Sequence, residues 1–441
     1  MSPSSASLSA LYRDHLEVLQ QRAAVALQRG GYDHLLIAAG KTKYQFLDDR
    51  PYPFAINPHF KAWVPLTEHA ESWLAITPGQ PPRLIYFQPD DYWHLPPAAP
   101  SGYWVEHLDV QVINQPEQAK ALLPDPSRAA ILGEPDAALP NVVPNNPDSV
   151  INYLHFHRAY KTPYEIALMA QASARAVTAH RAAEQAFRAG ASELDIHRAY
   201  LAACQHNDLD LPYGNIVALN EHAAVLHYQY QQAEKPTQSR SFLIDAGAQV
   251  SGYAADITRT YGNGHALFEQ LVAGVDRVQQ DLASQVRHGK DYRQIHLDTH
   301  RQLADVLVDL GVLKGSAEAA VAERVTSTFF PHGVGHLIGL QVHDVAGFQR
   351  DEDGGRIERP DGHPFLRLTR PLASGMAVTI EPGIYFIPTL LSKLKASAAA
   401  SMVDWQVVEH LLPFGGVRIE DDVVCTESEP LNLTREAFAR L

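Results

Sequence analysis

The sequence predicts an α+β chain of two domains, and three observations predict it. Its 441 residues with 46% hydrophobic content exceed one ordinary domain and are ample for sizeable cores. Two Pro-rich stretches, QPDDYWHLPPAAP and EPDAALPNVVPNNPDS, read as loops closing a first domain, which places a boundary near residue 158 and divides the chain into 1–158 and 159–441. In the second part, long amphipathic helical patterns interleave with short apolar strand-like runs, the proportion expected of helices packed on antiparallel sheets.

Taken in order, residues 11–30 have the spacing of an amphipathic helix stopped by Gly30-Gly31, and HLLIAAG follows as a buried strand. Pro163 suits the first position of a helix running to Gly190, and Ser192 caps the next. Two further helices cover 266–288 and 292–310. Strands are expected at IVALN, SFLIDAG, GYAADITRTYG, MAVTIEPGIY and GGVRIEDDVVCT. The stretch 385–409 has no role legible in its sequence, and SKLKASAAAS within it reads as a surface segment.

Composition excludes several classes. A net charge of -14, without clustered Lys and Arg, argues against a nucleic-acid partner. Cys204 and Cys425 are too few and too far apart for a disulfide framework or a zinc motif, which fits a reducing cytoplasm. The opening MSPSSASLSA has neither a basic nor an apolar leader region, and no apolar run reaches the length of a membrane span.

The chemistry lies in the second part. Asp245, Asp256, His336, Glu381 and Glu420 each sit in a short apolar, Gly-punctuated segment where an uncompensated charge would cost several kcal/mol. If the chain turns back near Val250 and Ser251, Asp245 lies directly opposite Asp256 in a hairpin, where like charges repel. A pair of dications would convert that repulsion into shared coordination, so the pattern points to a two-metal hydrolytic centre. PHGVGHLIGLQVHD adds His332 and His343 to His336; Gly333 and Gly335 disfavour a helix, and no Glu follows His332, which argues against a zincin. One imidazole can ligate metal while the others donate to a developing oxyanion. In GGVRIEDD, alternation puts Arg418 and Glu420 on one strand face and also admits Asp422. Arg418 there can orient a metal-binding carboxylate, offer its fork to a substrate carboxylate, or form a structural ion pair. An oxygen-rich set with one imidazole and no thiolate favours manganese over zinc, with cobalt able to substitute.

The segments LPYGNIVALNEHAAVLHY, LIDAGAQVSGYAADITRTYG, FFPHGVGHLIGLQVHDVAGF, HPFLRLTRPL, TIEPGIYFI and GGVRIEDD, in that order, resemble the M24 metallopeptidases of pita-bread fold. PYGNIVALNE and the N-terminal YQFLDDRPYPFAINPHFKAWVPL favour the bacterial branch that cleaves Xaa-Pro dipeptides. The resemblance implies a pita-bread catalytic domain behind a smaller α/β, creatinase-like domain serving dimerisation and pocket closure. It implies two Mn²⁺ ions held by Asp245, Asp256, His336, Glu381 and Glu420, with Asp256 and Glu420 bridging and Glu381 doubling as proton shuttle. It makes His332, His343 and His227 substrate-facing, gives Arg418 the substrate's C-terminal carboxylate, and marks Tyr213, Tyr292 and Val342 as pocket residues. Asp49 would reach the partner subunit's site in a cytoplasmic homodimer whose substrate is a dipeptide. The branch also implies a side activity on organophosphate triesters.

Overall fold

A computed structural model describes residues 5–441. The reading of the first ten residues as leaderless falls in part on residues 1–4, outside the described residues. The chain divides into two compact units. The first runs to Leu168 and takes in Arg350–Gly355; the second comprises Met169–Gln349 and Arg356–Leu441. The division falls inside the helix Pro163–Arg188, which begins in the first unit and continues into the second.

The first unit is built on five strands: β1 (His34–Ala38), β2 (Trp73–Ile76), β3 (Arg83–Phe87), β4 (Asp109–Ile113) and β5 (Ala129–Leu132). They lie in the order β4-β3-β2-β1-β5, with the outer pairs parallel and the inner pairs antiparallel. One face packs Leu36, Trp73, Ile85 and Ile131 into a core, while helix Ser5–Gly30 lies against Asp148–Arg158. This is the smaller α/β domain that the sequence predicts.

The second unit carries β6 (Ile216–Leu219), β7 (Ser241–Asp245), the two-residue β8 (Gln249–Val250) and β9 (Tyr253–Ala254), and β10 (Thr258–Gly262). Further along come β11 (Ala377–Ile380), β12 (Gly383–Tyr385), β13 (Gly416–Arg418), β14 (Asp421–Val424) and β15 (Leu431–Asn432). Sheets β10-β7-β6, β11-β14-β15 and β12-β13 are antiparallel throughout. Helices Pro163–Arg188 and Glu193–Cys204 cover the first of them through Phe187, Ile196 and Tyr200, which pack on Val217, Phe242 and Ile244. The helices expected from Pro163, Ser192, 266 and 292 are present, as Pro163–Arg188, Glu193–Cys204 (capped by Ser192), Ala266–Ser284 and Tyr292–Asp309. The stretch 385–409 forms helix Pro388–Lys395 and most of Trp405–Leu411.

The register differs from expectation at one place that matters. Asp245 pairs with Thr258, not with Asp256. The chain reverses at Ser251 and Gly252, whose φ values of 52° and 83° are both left-handed, so the pairing is set two residues later than a turn at Val250 and Ser251 would give. A shift of two keeps the parity, and the carboxylates stay on the same side. Gly247 lies where the returning strand crosses closest: a Cβ there would collide with the Ala255 carbonyl oxygen, a backbone atom that cannot step aside. Gly247→Ala should therefore destabilise the metal-free protein by about 2 kcal/mol, read as a lower melting temperature. An unchanged melting temperature would show that this crossing is not tight.

Candidate metal centre

Two antiparallel junctions bring the predicted ligands together. Thr258 and Glu420 exchange backbone hydrogen bonds (Glu420 N to Thr258 O at 3.0 Å), which joins the β10 edge to the chain between β13 and β14. Segment 334–338 runs beside β11, with the Glu381 amide donating to the Val334 carbonyl at 2.8 Å and the Thr379 amide to the His336 carbonyl at 2.9 Å. Asp256, His336 and Glu420 consequently offer ligand atoms all within 4.8 Å of one another. His336 Nε2 lies 3.5 Å from Asp256 Oδ2 and 3.7 Å from Glu381 Oε1. Asp245 joins through Tyr213, whose hydroxyl stands 2.8 Å from Asp245 Oδ1 and 2.6 Å from Asp256 Oδ1.

Each donor is aimed by a neighbour. His336 Nδ1 sits 3.0 Å from the Leu337 carbonyl, which can only accept, so Nδ1 carries a proton and Nε2 faces the carboxylates, which raise the ring above its ordinary value. Thr258 Oγ1 donates to Glu420 Oε2 at 2.7 Å. Arg418 Nη2 donates to Asp245 Oδ2 at 2.7 Å, while its Nη1 reaches the Tyr385 hydroxyl at 2.8 Å. Consecutive acidic residues take separate duties: Asp421 is fixed by Arg259 and Arg435, each at 2.7 Å, and Asp422 Oδ2 accepts the Asp256 amide at 3.1 Å.

Protonation reflects the crowding. Burial pushes Glu381 up to about 7, and burial followed by the charges of Asp256, Glu381 and Asp245 holds Glu420 well above the usual carboxylate range. Burial also raises Asp245. Burial works against Asp256 too, but the His336 ring and the Tyr213 hydroxyl hold its carboxyl below the ordinary value. Four carboxylates this close must share protons or share cations. Four carboxylates with one imidazole and no sulfur suit hard divalent ions, and the donor set fits such a group.

The ligands form the floor of a cavity of about 910 Å³ that is also lined by Tyr213, His227, His332, Val342, His343 and Arg418. Tyr292 is not among the lining residues: its ring is fully buried and its hydroxyl donates to the Thr379 carbonyl at 2.7 Å, which supports the His336 segment from behind. Asp49 is an exposed residue of the first unit. His332 is fully committed: since Arg418 donates to the Tyr385 hydroxyl, that hydroxyl donates to His332 Nε2 at 2.8 Å, which leaves Nδ1–H on the Gly333 carbonyl at 2.7 Å. Burial and the Arg418 charge push it down to about 3, so it is a neutral ring. His343 stands open to the cavity, edge-on to His336 with ring centroids 4.4 Å apart, and partial burial and the His336 charge push it down to about 4. Arg359 and Arg367, which sequence reasoning passed over, add two more cations to the lining. Arg367 lies within HPFLRLTRPL, so the signal was there, but nothing in that segment alone says which side chain faces inward.

Fold and centre together are those of a metal-dependent peptidase. Residues 167–427 match the model of metallopeptidase family M24, residues 10–156 match the Xaa-Pro dipeptidase N-terminal domain, and the chain belongs to family M24. It is similar to the Xaa-Pro dipeptidase of Stenotrophomonas maltophilia (strain K279a), 58% identical over 98% of each chain, and to that of Xanthomonas axonopodis pv. citri (strain 306), 57% identical over 98% of this chain and 99% of the other. In fold it resembles Escherichia coli aminopeptidase P with the inhibitor Pro-Leu, with a TM-score of 0.70 at 23% identity over 99% of this chain and 96% of that one. The fold is thus the pita-bread fold behind an N-terminal domain.

The raised Glu381 carboxyl has a measurable consequence. Its folded value near 7 exceeds the unfolded 4.5, so the folded metal-free protein binds more protons between those values and loses stability as pH rises through that window. The melting temperature of metal-free wild type should fall from pH 5 to pH 7.5 more steeply than that of Glu381→Gln. Equal slopes would mean that Glu381 is already ionised at pH 5.

Proposed function

We propose that this chain hydrolyses Xaa-Pro dipeptides and releases free proline. The observation that carries the reading is the match to Xaa-Pro dipeptidases at 58% identity along 98% of both chains, with all five candidate donors gathered around one cavity. Asp245, Asp256, His336, Glu381 and Glu420 would hold two Mn²⁺ ions. When bound, such a pair lowers the pKa of water and polarises the scissile carbonyl.

The chain's own groups supply the rest. Glu381, on the cavity floor beside His336, takes a proton from the attacking water and passes it to the departing proline nitrogen, which must be protonated before it leaves. His343, neutral and open to the cavity, donates to the oxygen that gains charge. His332 acts through the Tyr385 hydroxyl, shaping the wall rather than donating to the substrate. His227, Tyr213 and Val342 line the pocket, and Tyr292 holds the His336 segment in place.

A dipeptide offers a free carboxylate, and Arg418 is the predicted receptor for it. Three of its N–H groups already face Asp245, Tyr385 and Thr258, so we assign it to orienting Asp245 first, with Arg359 and Arg367 as further carboxylate receptors. Asp49 would contribute from the N-terminal domain of the partner in a homodimer, in the cytoplasm. The same pocket would also admit organophosphate triesters, giving a side activity on them.

Three measurements check this reading. Metal-stripped protein reconstituted with Mn²⁺ should release proline from Ala-Pro, leave Ala-Pro-Ala and Ala-Ala intact, and fall silent on chelation; cleavage of the tripeptide would move the assignment to an aminopeptidase P. Glu381→Gln should lower kcat by roughly 10²- to 10⁴-fold, and a near-normal kcat would remove the shuttle role. Arg418→Ala should reduce metal retention, whereas Arg367→Ala should raise KM for Ala-Pro with metal content unchanged. The reverse pattern would return the substrate carboxylate to Arg418.

A further inference from the structure

A second group of metal-type donors lies apart from the carboxylate centre. His296 and His300 stand one turn apart on helix Tyr292–Asp309, and His363 approaches them from the loop after Pro360. Each of the three offers a ring nitrogen, and these atoms all lie within 4.8 Å of one another. The rings meet edge to face, with centroids 4.9 Å apart for His296 and His300, and 4.7 Å apart for His363 to each of the others. His296 and His300 are buried, and His363 is partly so.

Three imidazoles in contact are an uneconomical way to fill a core, because every ring carries a donor or acceptor that must be matched. Here the matching is incomplete. His296 Nε2 and His363 Nδ1 share one hydrogen bond at 2.9 Å, and His300 Nδ1 is oriented by Thr326 Oγ1 at 3.0 Å. His296 Nδ1 is buried with no hydrogen-bond partner among the described residues. The cluster cannot be satisfied by carrying charge: burial, then the neighbouring rings, drives His296 well below its ordinary value and His300 down to about 3. Neutral imidazole is the form that binds metal, and a hydroxyl fixing the far nitrogen of a ligating ring is the usual outer support of such a site.

We propose that His296, His300 and His363 form a second metal site, a three-imidazole site for a borderline dication of the Zn²⁺ class. Zinc takes three protein ligands and a water at about 2.0–2.1 Å in tetrahedral geometry, which places neighbouring nitrogens roughly 3.3 Å apart. The rings therefore need only small adjustments to enclose the ion, and the 2.9 Å hydrogen bond is exchanged for coordination. Nitrogen-only donors set this site apart from the oxygen-rich one, so the chain would sort two kinds of metal by donor chemistry.

Its position gives it a task. Phe330 packs against His296, His300 and His332, with centroids 5.8, 5.0 and 4.7 Å away. Pro364 and Phe365, directly after His363, line the substrate cavity. An ion here would tie the loop after Pro360 to helix Tyr292–Asp309 and so fix one cavity wall, while leaving the carboxylate ligands untouched.

The test is zinc titration of metal-stripped full-length protein by calorimetry, with bound metal counted after gel filtration. Wild type is compared with Glu420→Gln, which disables the carboxylate centre, and with His363→Ala, which alters only a partly exposed loop residue. Wild type and Glu420→Gln should both hold a zinc ion that His363→Ala loses or binds at least a hundredfold more weakly. That ion should show three-imidazole coordination in zinc X-ray absorption of the Glu420→Gln protein. His300→Gln, which keeps the side-chain size and is checked for folding by circular dichroism, should lose the same ion. If His363→Ala and His300→Gln bind zinc with wild-type stoichiometry and affinity, or if Glu420→Gln binds none, the site does not exist.

Discussion

Everything in the second unit answers to one constraint, the mutual repulsion of carboxylates gathered in a dry β scaffold. Left alone, Asp245, Asp256, Glu381 and Glu420 would push the strands that carry them apart, because charge is poorly screened where water is excluded. The structure opposes this with a fixed opponent for each. Arg418 grips Asp245, Thr258 grips Glu420, His336 stands against Asp256 and Glu381, and the Tyr213 hydroxyl bridges the two aspartates. The run Arg418-Ile419-Glu420-Asp421-Asp422 shows how much one strand can be asked to do. Asp421 turns away to a pair of arginines, while Asp422 reaches back to hold the Asp256 backbone.

Close backbone approach is the second device. Gly335, at φ 151°, passes so near the Thr379 carbonyl and the Tyr292 hydroxyl that a Cβ would strike both. This closeness lets His336 and Glu381 face one another across neighbouring strands, since any side chain at 335 would force the loop off β11. The burial of Tyr292 follows from the same contact. It occupies the space behind the loop, so its proximity to the centre in sequence motifs becomes structural support rather than a place in the cavity wall.

Much of this was legible in the sequence, and the exceptions have physical causes. Charges in apolar strands announced the donor set, and helix starts at Pro163 and Ser192 were readable from capping chemistry. Parity along GGVRIEDD correctly set Arg418 and Glu420 on one face. The hairpin register was readable but missed, because the turn needs positive φ at both central residues, which Gly252 adopts freely and β-branched Val250 does not. His296, His300 and His363 escaped notice because spacing four on a helix is also what an ordinary buried face produces, and His363 joins them from sixty-three residues beyond His300. The cavity arginines were missed for a similar reason, since a loop carries no periodicity from which to read direction.

The guanidinium of Arg418 ties the candidate donors to the cavity wall. Its Nη2 holds Asp245, and its Nη1 polarises the Tyr385 hydroxyl, which passes its proton toward His332 Nε2 and so fixes His332 Nδ1–H on the Gly333 carbonyl. Gly333 stands two residues before the close-packed Gly335 and three before His336, so the chain of hydrogen bonds runs from Asp245, through the wall, back toward His336. A molecule in the cavity that presses on His332 would therefore act on the same network that aims Asp245. In such a site a residue placed in the pocket by its position can owe its chemical type to the carboxylates beneath it.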